Sequence, residues 1–213
     1  MNKAFAALAQ PANPPSLIDL MRARAAFDPN GAAFELWTGV PPRPACSNQE
    51  LDQAARAIAG ALQTAGMSGR RALVMTGQGA LKLAALCGCL YAGVVAIVVP
   101  PEHDLPLALA RLAPAASLLL STEARLQALP LNAPEELLHS RLDWLAVDML
   151  GRGFAAAWRP ARADGSALAL LECSDPWAEP ACMLPMSLAE VGADPSVLIR
   201  AAGLDGLDNP YPA

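Results

Sequence analysis

From Leu83 to Pro101 the chain carries no charged side chain, and that run limits the possible folds more than any other segment. In length it approaches what a membrane span needs. Gly88 and Gly93 interrupt it, however, and its second half, Val94 to Val99, is rich in β-branched residues. A buried helix followed by a buried strand of a parallel sheet accounts for both halves. No membrane span is expected.

The flanking segments repeat this alternation. Ala72 to Thr76 reads as a short buried strand, and Gly77-Gln78-Gly79 turns it into a helix over about Ala80 to Ala92. Strand Val94 to Val99 follows, then a helix Leu105 to Leu112 and a strand Ser117 to Leu120. Short helices are expected over Thr122 to Ala128 and Pro134 to His139. Strands are expected at Trp144 to Val147 and Ala167 to Leu171, with residues 151–165 as a connector. Strands and helices at this spacing imply a parallel sheet with right-handed crossovers.

Upstream, Ser47-Asn48-Gln49-Glu50 is a capping box, and Leu51, Ala54, Ala55, Ile58 and Leu62 follow on one helical face. Gly66 suits the end of that helix. Ser16 caps an earlier helix, Ala32 to Trp37 reads as a strand, and Val40 to Ala45, with three prolines, reads as a loop. Three units are expected: an arm or linker over 1–15, an α/β domain over 16–171, and a proline-rich tail over 172–213. Within that tail, Ser187 to Val191 and Ser196 to Ala202 read as short helices.

Composition narrows the function. Hydrophobic residues make up 54% of the 213, enough for a sizeable core, and the net charge is −5 with no basic run. Nucleic acid is therefore not an expected partner. Lys3 and Lys82 are the only lysines, and the arginine bias fits a GC-rich bacterial genome. The five cysteines are odd in number and irregular in spacing. They read as reduced, buried thiols of a cytoplasmic protein, and no metal site or cofactor is expected.

Other candidates have bland explanations. Gly77-x-Gly79 lacks the third glycine of a dinucleotide fingerprint, because Lys82 stands there, and reads as a tight turn. His103, between Glu102 and Asp104, offers metal or base chemistry but reads as a solvated loop. His139 suits a helix C-terminus, and Ser121-Thr122 reads as a strand end and helix cap. Trp177, Met183 and Met186 form a protein-binding patch if exposed. Core packing is the equal alternative.

Several segments together resemble a family. Ser47 to Asp52 with Ala57, Ile58, Ala59 and Leu62 resembles the early helix of adenylate-forming enzymes. Gly88-Cys89-Leu90-Tyr91-Ala92-Gly93, with Val95, Ala96 and Pro100-Pro101, resembles the fatty-acyl-AMP ligases in particular. Trp144 to Asp148, Trp158-Arg159-Pro160 and Ala167 to Leu171 are similar to later segments of that family, in order and spacing. The resemblance spans roughly residues 16–190 and implies part of the N-terminal domain, a flavodoxin-like parallel sheet flanked by helices. It also implies a truncated member, because the adenine, ribose and magnesium motifs and the C-terminal lobe have no counterpart before Ala213.

In that family the strand matching Ala167 to Leu171 leads into a phosphate loop of the form T-S-G-S-T-G-D-P-K-G. Its glycines let backbone N–H groups approach phosphates, and its lysine supplies charge. Here the corresponding stretch is Ser174-Asp175-Pro176-Trp177-Ala178-Glu179-Pro180-Ala181. No glycine remains, Pro176 has no N–H, and Ala181 stands near the lysine position. Only Ser174 and Pro180 resemble the family's loop. Asp175 and Glu179 would repel phosphate, by about 1 kcal/mol per pair of charges at 4 Å in water and ~4 kcal/mol at a surface-like dielectric. The expectation is a noncatalytic ligase-like protein acting by interaction with another protein of an acyl-activation, polyketide or peptide synthase pathway. Two alternatives stand beside it: one piece of a split or larger ligase, and an acyl-chain binder that needs no ATP.

Overall fold

The computed structural model describes residues 16–36, 43–99, 111–132, 142–160, 164–175, 178 and 181–204. Helix α1 (Leu17–Phe27) leads into a two-stranded antiparallel sheet of β1 (Ala32–Leu36) and β2 (Arg43–Ser47). Then come α2 (Asn48–Thr64), β3 (Arg71–Val74), α3 (Ala80–Ala92), β4 (Val95–Val98) and β5 (Leu118–Ser121). The chain continues through α4 (Glu123–Asn132), β6 (Asp143–Ala146), α5 (Arg152–Ala157), β7 (Leu168–Asp175) and β8 (Cys182–Ser187). Helices α6 (Leu188–Ala193) and α7 (Ser196–Ala201) follow.

The main sheet has the order β6-β5-β3-β4-β7-β8. Its first five strands are parallel, and β8 pairs antiparallel with β7. Strand alternation divides the core into two. Ala72, Val74, Ala96, Val98 and Leu120 face one cluster with α2 and α3, whereas Leu73, Met75, Val95, Ile97 and Leu119 face another with Leu112, Leu126 and Leu129. The uncharged run behaves as its composition implies, α3 being almost wholly buried and β4 buried on both faces. Among the described residues no helix is long and apolar enough to cross a membrane.

Two glycines set how closely the helices approach. A Cβ on Gly88 of α3 would stand 2.7 Å from the Ile58 side chain of α2, and one on Gly60 would stand 2.0 Å from the Phe154 carbonyl oxygen of α5. A buried polar chain then ties these helices. Trp158 Nε1 donates to the Tyr91 carbonyl at 3.1 Å, and Tyr91 Oη donates to Asp52 Oδ1 at 3.0 Å. The other Asp52 oxygen meets Arg56 at 2.8 Å, and the Arg22 guanidinium lies 5.1 Å from the centre of the Trp158 ring.

Three segments differ from the sequence reading. Residues 43–45 of the expected proline loop belong to β2; an edge strand tolerates Pro44 because one side of its backbone needs no partner. The expected connector 151–165 contains α5, which the bare Gly60 surface lets dock. The expected tail carries β8, so the sheet is mixed rather than purely parallel, and β7 runs on to Asp175. Most of the helix expected at 105–112, the helix expected at 134–139 and the arm 1–15 lie outside the described residues.

Candidate functional site

The stretch expected to correspond to the phosphate loop joins β7 to β8 of the antiparallel hairpin. Asp175 pairs with Cys182 and Cys173 with Met183, with a register irregularity between Cys173 and Asp175. Ser174 is exposed, and its hydroxyl reaches across the hairpin toward the Cys182 carbonyl at 3.5 Å. Asp175 is exposed at the end of β7. Ala178 is half-buried, and Ala181 is half-buried against the second core cluster. Pro176, Trp177, Glu179 and Pro180 lie outside the described residues.

Met183 and Met186 do not share a surface. Three residues apart on β8, they face opposite sides, Met183 toward the second cluster and Met186 toward the first. The exposed large hydrophobic residue of this strand is Leu184, 53% exposed; the sequence reading missed it because β8 itself was not foreseen. Cys173 is buried, which pushes its thiol up, while Cys182 is exposed.

This hairpin emerges at the carboxyl end of the parallel strands, the end at which open α/β sheets bind ligands. The crossovers from β3 and β5 leave in opposite directions, so the crevice between them is the topological switch point. Ser121 Oγ donates to the Met75 carbonyl there at 2.9 Å, and Arg125 Nη1 approaches the same oxygen at 3.5 Å. Gly77 and Gly79 hold positive φ of 84° and 107°, as a tight turn requires. The Lys82 side chain is buried in the first turn of α3, and its Nζ reaches the Val99 carbonyl at 3.4 Å. Val98 pairs with Glu172, which sets Val99 level with Cys173. A lone lysine in an otherwise uncharged helix was the signal for this placement. Lys82 and Arg125 bring cationic groups to this end of the sheet, each already directed at a carbonyl oxygen.

The composition of the turn differs from that of a phosphate cradle. A phosphate cradle needs backbone N–H groups at close range and a cation. This turn begins with an exposed carboxylate, has no glycine between Ser174 and Ala181, and ends on an alanine set against the core. Among the described residues, no group of three or more His, Cys, Asp or Glu side chains could hold a metal ion. His103 and His139 lie outside them.

A second concavity lies on the helical side. Helices α1, α2, α3 and α7 enclose an open groove of about 630 Å³, within the size range of ligand pockets. Leu20, Met21, Phe27, Leu51, Leu83 and Ile199 give it mainly apolar walls, and Arg24, Asp28 and Asn48 add polar groups.

The chain is 33% identical over 168 residues to the medium-chain-fatty-acid–[acyl-carrier-protein] ligase JamA of Moorena producens. The chain is related to the acyl-AMP ligases. The match covers 74% of the chain and 28% of JamA, so the chain spans well under a third of that ligase. No family model matches. Among solved structures, the fatty acyl-adenylate ligase of L. pneumophila, in complex with acyl adenylate and pyrophosphate, superimposes with a TM-score of 0.68 at 23% identity. The superposition covers 82% of this chain and 31% of that one. The nonribosomal peptide synthetase FmoA3 gives 0.65 at 19%, covering 90% and 20%. At these identities the likeness establishes the fold, that of the N-terminal domain of adenylate-forming enzymes. The mixed sheet flanked by helices is the ligase fold that the acyl-AMP ligase resemblance implied.

Proposed function

We propose that this chain is a noncatalytic relative of the acyl-AMP ligases that acts by protein interaction within an acyl-activation, polyketide or peptide synthase pathway. One observation carries the reading. The ligase scaffold is intact up to and beyond the strand that feeds the phosphate loop, yet the turn holds Asp175 and Glu179 and neither glycine nor lysine. Two carboxylates at that turn oppose the charge they would have to hold. JamA by its name serves an acyl carrier protein, and FmoA3 is a nonribosomal peptide synthetase; a protein of such a pathway is the partner this reading names. Isothermal titration of the isolated chain with ATP is the test. No heat of binding at micromolar concentrations is expected, and no pyrophosphate release with dodecanoate and ATP; micromolar ATP affinity overturns the reading.

A second reading has its own support. The chain spans 28% of JamA and 31% of the L. pneumophila ligase, as one piece of a larger or split ligase would. Co-expression with a polypeptide covering the remainder of such a ligase distinguishes the two. Pyrophosphate release that needs both polypeptides supports the split enzyme, and a silent mixture supports the noncatalytic protein.

A further inference from the structure

Arginine gathers on one face of a chain whose net charge is −5. Helix α5 carries Arg152 at its first position, and Arg159 stands two residues past its end; both are exposed. From Met149 to Pro160 there is no aspartate or glutamate. Arg22 of α1 is exposed over the Trp158 ring, and Arg56 of α2 lines, with Arg152, an open cavity of about 740 Å³ between α2 and α5. The two carboxylates of α2 are already engaged. Glu50 Oε2 accepts from the Ser47 N–H and hydroxyl, and Asp52 is held by Tyr91 and Arg56. Among the described residues, no ion pair holds Arg152 or Arg159. Phe154, 38% exposed, lies between these two arginines in the chain, and Met149, 68% exposed, precedes them. Exposed aromatic and arginine side chains together make the anchors of protein interfaces.

We propose that this face of α2 and α5 docks an acidic segment of a partner protein, its carboxylates meeting Arg152 and Arg159 and an apolar side chain meeting Phe154. The proposal rests on the protein-interaction reading and gives the partner its chemistry. Spacing favours a polypeptide over a small anion. Arg159 Nη1 donates to the carbonyls of Ala156 and Trp158, at 2.9 Å each, which pins its guanidinium at the C-terminal end of α5. Arg152 belongs to the other end, six residues of helix or about 9 Å away. Carboxylates spaced along a chain match two cations so separated, and a lone phosphate offers nothing to Phe154. Because Arg159 is already fixed, little side-chain freedom is lost when it pairs.

Fluorescence anisotropy of the full chain with a fluorescein-labelled peptide of two Leu-Glu-Ala-Leu-Glu-Glu-Ala repeats tests it. Binding is expected, weakening roughly tenfold or more between about 50 mM and about 500 mM salt. Arg152→Glu is expected to weaken it on the order of tenfold and Phe154→Ala on the order of fivefold, each variant keeping a cooperative thermal transition. The same peptide with lysine for glutamate is expected not to bind. No binding of the acidic peptide up to millimolar concentration overturns the proposal, as does equal binding of both peptides or unchanged affinity in Arg152→Glu. Displacement of the peptide by equimolar inorganic phosphate or duplex DNA overturns it by making the face a general anion site. Self-association of the parent that Arg152→Glu abolishes overturns it by assigning the face to a second copy. None of these outcomes involves ATP. A failed surface with ATP still unbound leaves the noncatalytic reading standing, whereas ATP binding overturns that reading whatever the peptide does.

Discussion

Gly60 and Gly153 predict opposite signs. A methyl at Gly60 would meet the Phe154 backbone at 2.0 Å, and that backbone has little room to retreat. Gly60→Ala is expected to destabilise the fold by about 1–3 kcal/mol in urea denaturation. Gly153, inside α5, has open space around it and no positive φ. Gly153→Ala is expected to stabilise by up to about 1 kcal/mol through helix propensity in the same assay. The thiols divide in a similar way. Burial pushes Cys87 and Cys89 up to about 12, so at pH 8 almost no thiolate exists at either. Cys182 is exposed. A thiol reagent at pH 8 is therefore expected to label Cys182 first and to reach Cys87 and Cys89 only on unfolding; rapid labelling that survives Cys182→Ser would contradict this. Sequence alone foresaw the buried thiols, because Cys87 and Cys89 sit in the uncharged run. It could not foresee Gly60, whose partner is 94 residues away.

At the scale of elements, three helices begin with reciprocal capping boxes, Ser16/Asp19, Ser47/Glu50 and Ser187/Glu190. The Ser47 backbone N–H and hydroxyl hold the Glu50 carboxyl below its usual range, and Ser187 does the same for Glu190. A lowered folded pKa means stability that is present above the unfolded value, about 4.3 for Glu, and is lost as pH falls through the folded one. The melting temperature is expected to drop on acidification below that value. Glu50→Gln with Glu190→Gln is expected to flatten part of the drop; an unchanged acid limb in the double variant would refute the assignment. The Ser47 box was legible because its chemistry is local, S-x-x-E before an apolar periodic run. Strand β8 was not. Cys-Met-Leu-Pro-Met-Ser has weak alternation and a proline, and it becomes a strand because β7 offers an unpaired edge. The same holds for β2 and for α5, which neighbours created rather than propensity.

For the whole molecule, the relation to test is between the packed sheet and the β7–β8 turn. Leu188, Val191, Val197 and Leu198 pack into the first core cluster from beyond the turn. Strands β7 and β8, on either side of the turn, therefore belong to the packed sheet. Relieving the repulsion should show directly. Asp175→Gly with Glu179→Gly is expected to tighten binding of inorganic triphosphate roughly thirtyfold, the equivalent of about 2 kcal/mol, about 1 for each carboxylate removed, in water. Titration calorimetry of the variant and the parent measures it, and unchanged affinity would mean that the two carboxylates do not govern this turn.

By itself the sequence determined the alternating α/β plan, the buried helix and strand at its centre, the capped helix starts and the chemistry of the turn. Those features depend on residue type and on spacing along a few turns of chain. Tertiary structure decided the rest: strand order, the antiparallel edge, the docking of α5 on a bare glycine, the groove, and the opposite facing of Met183 and Met186. Each of these depends on surfaces contributed by segments far apart in the chain, and local spacing carries no information about which distant surface a residue will meet.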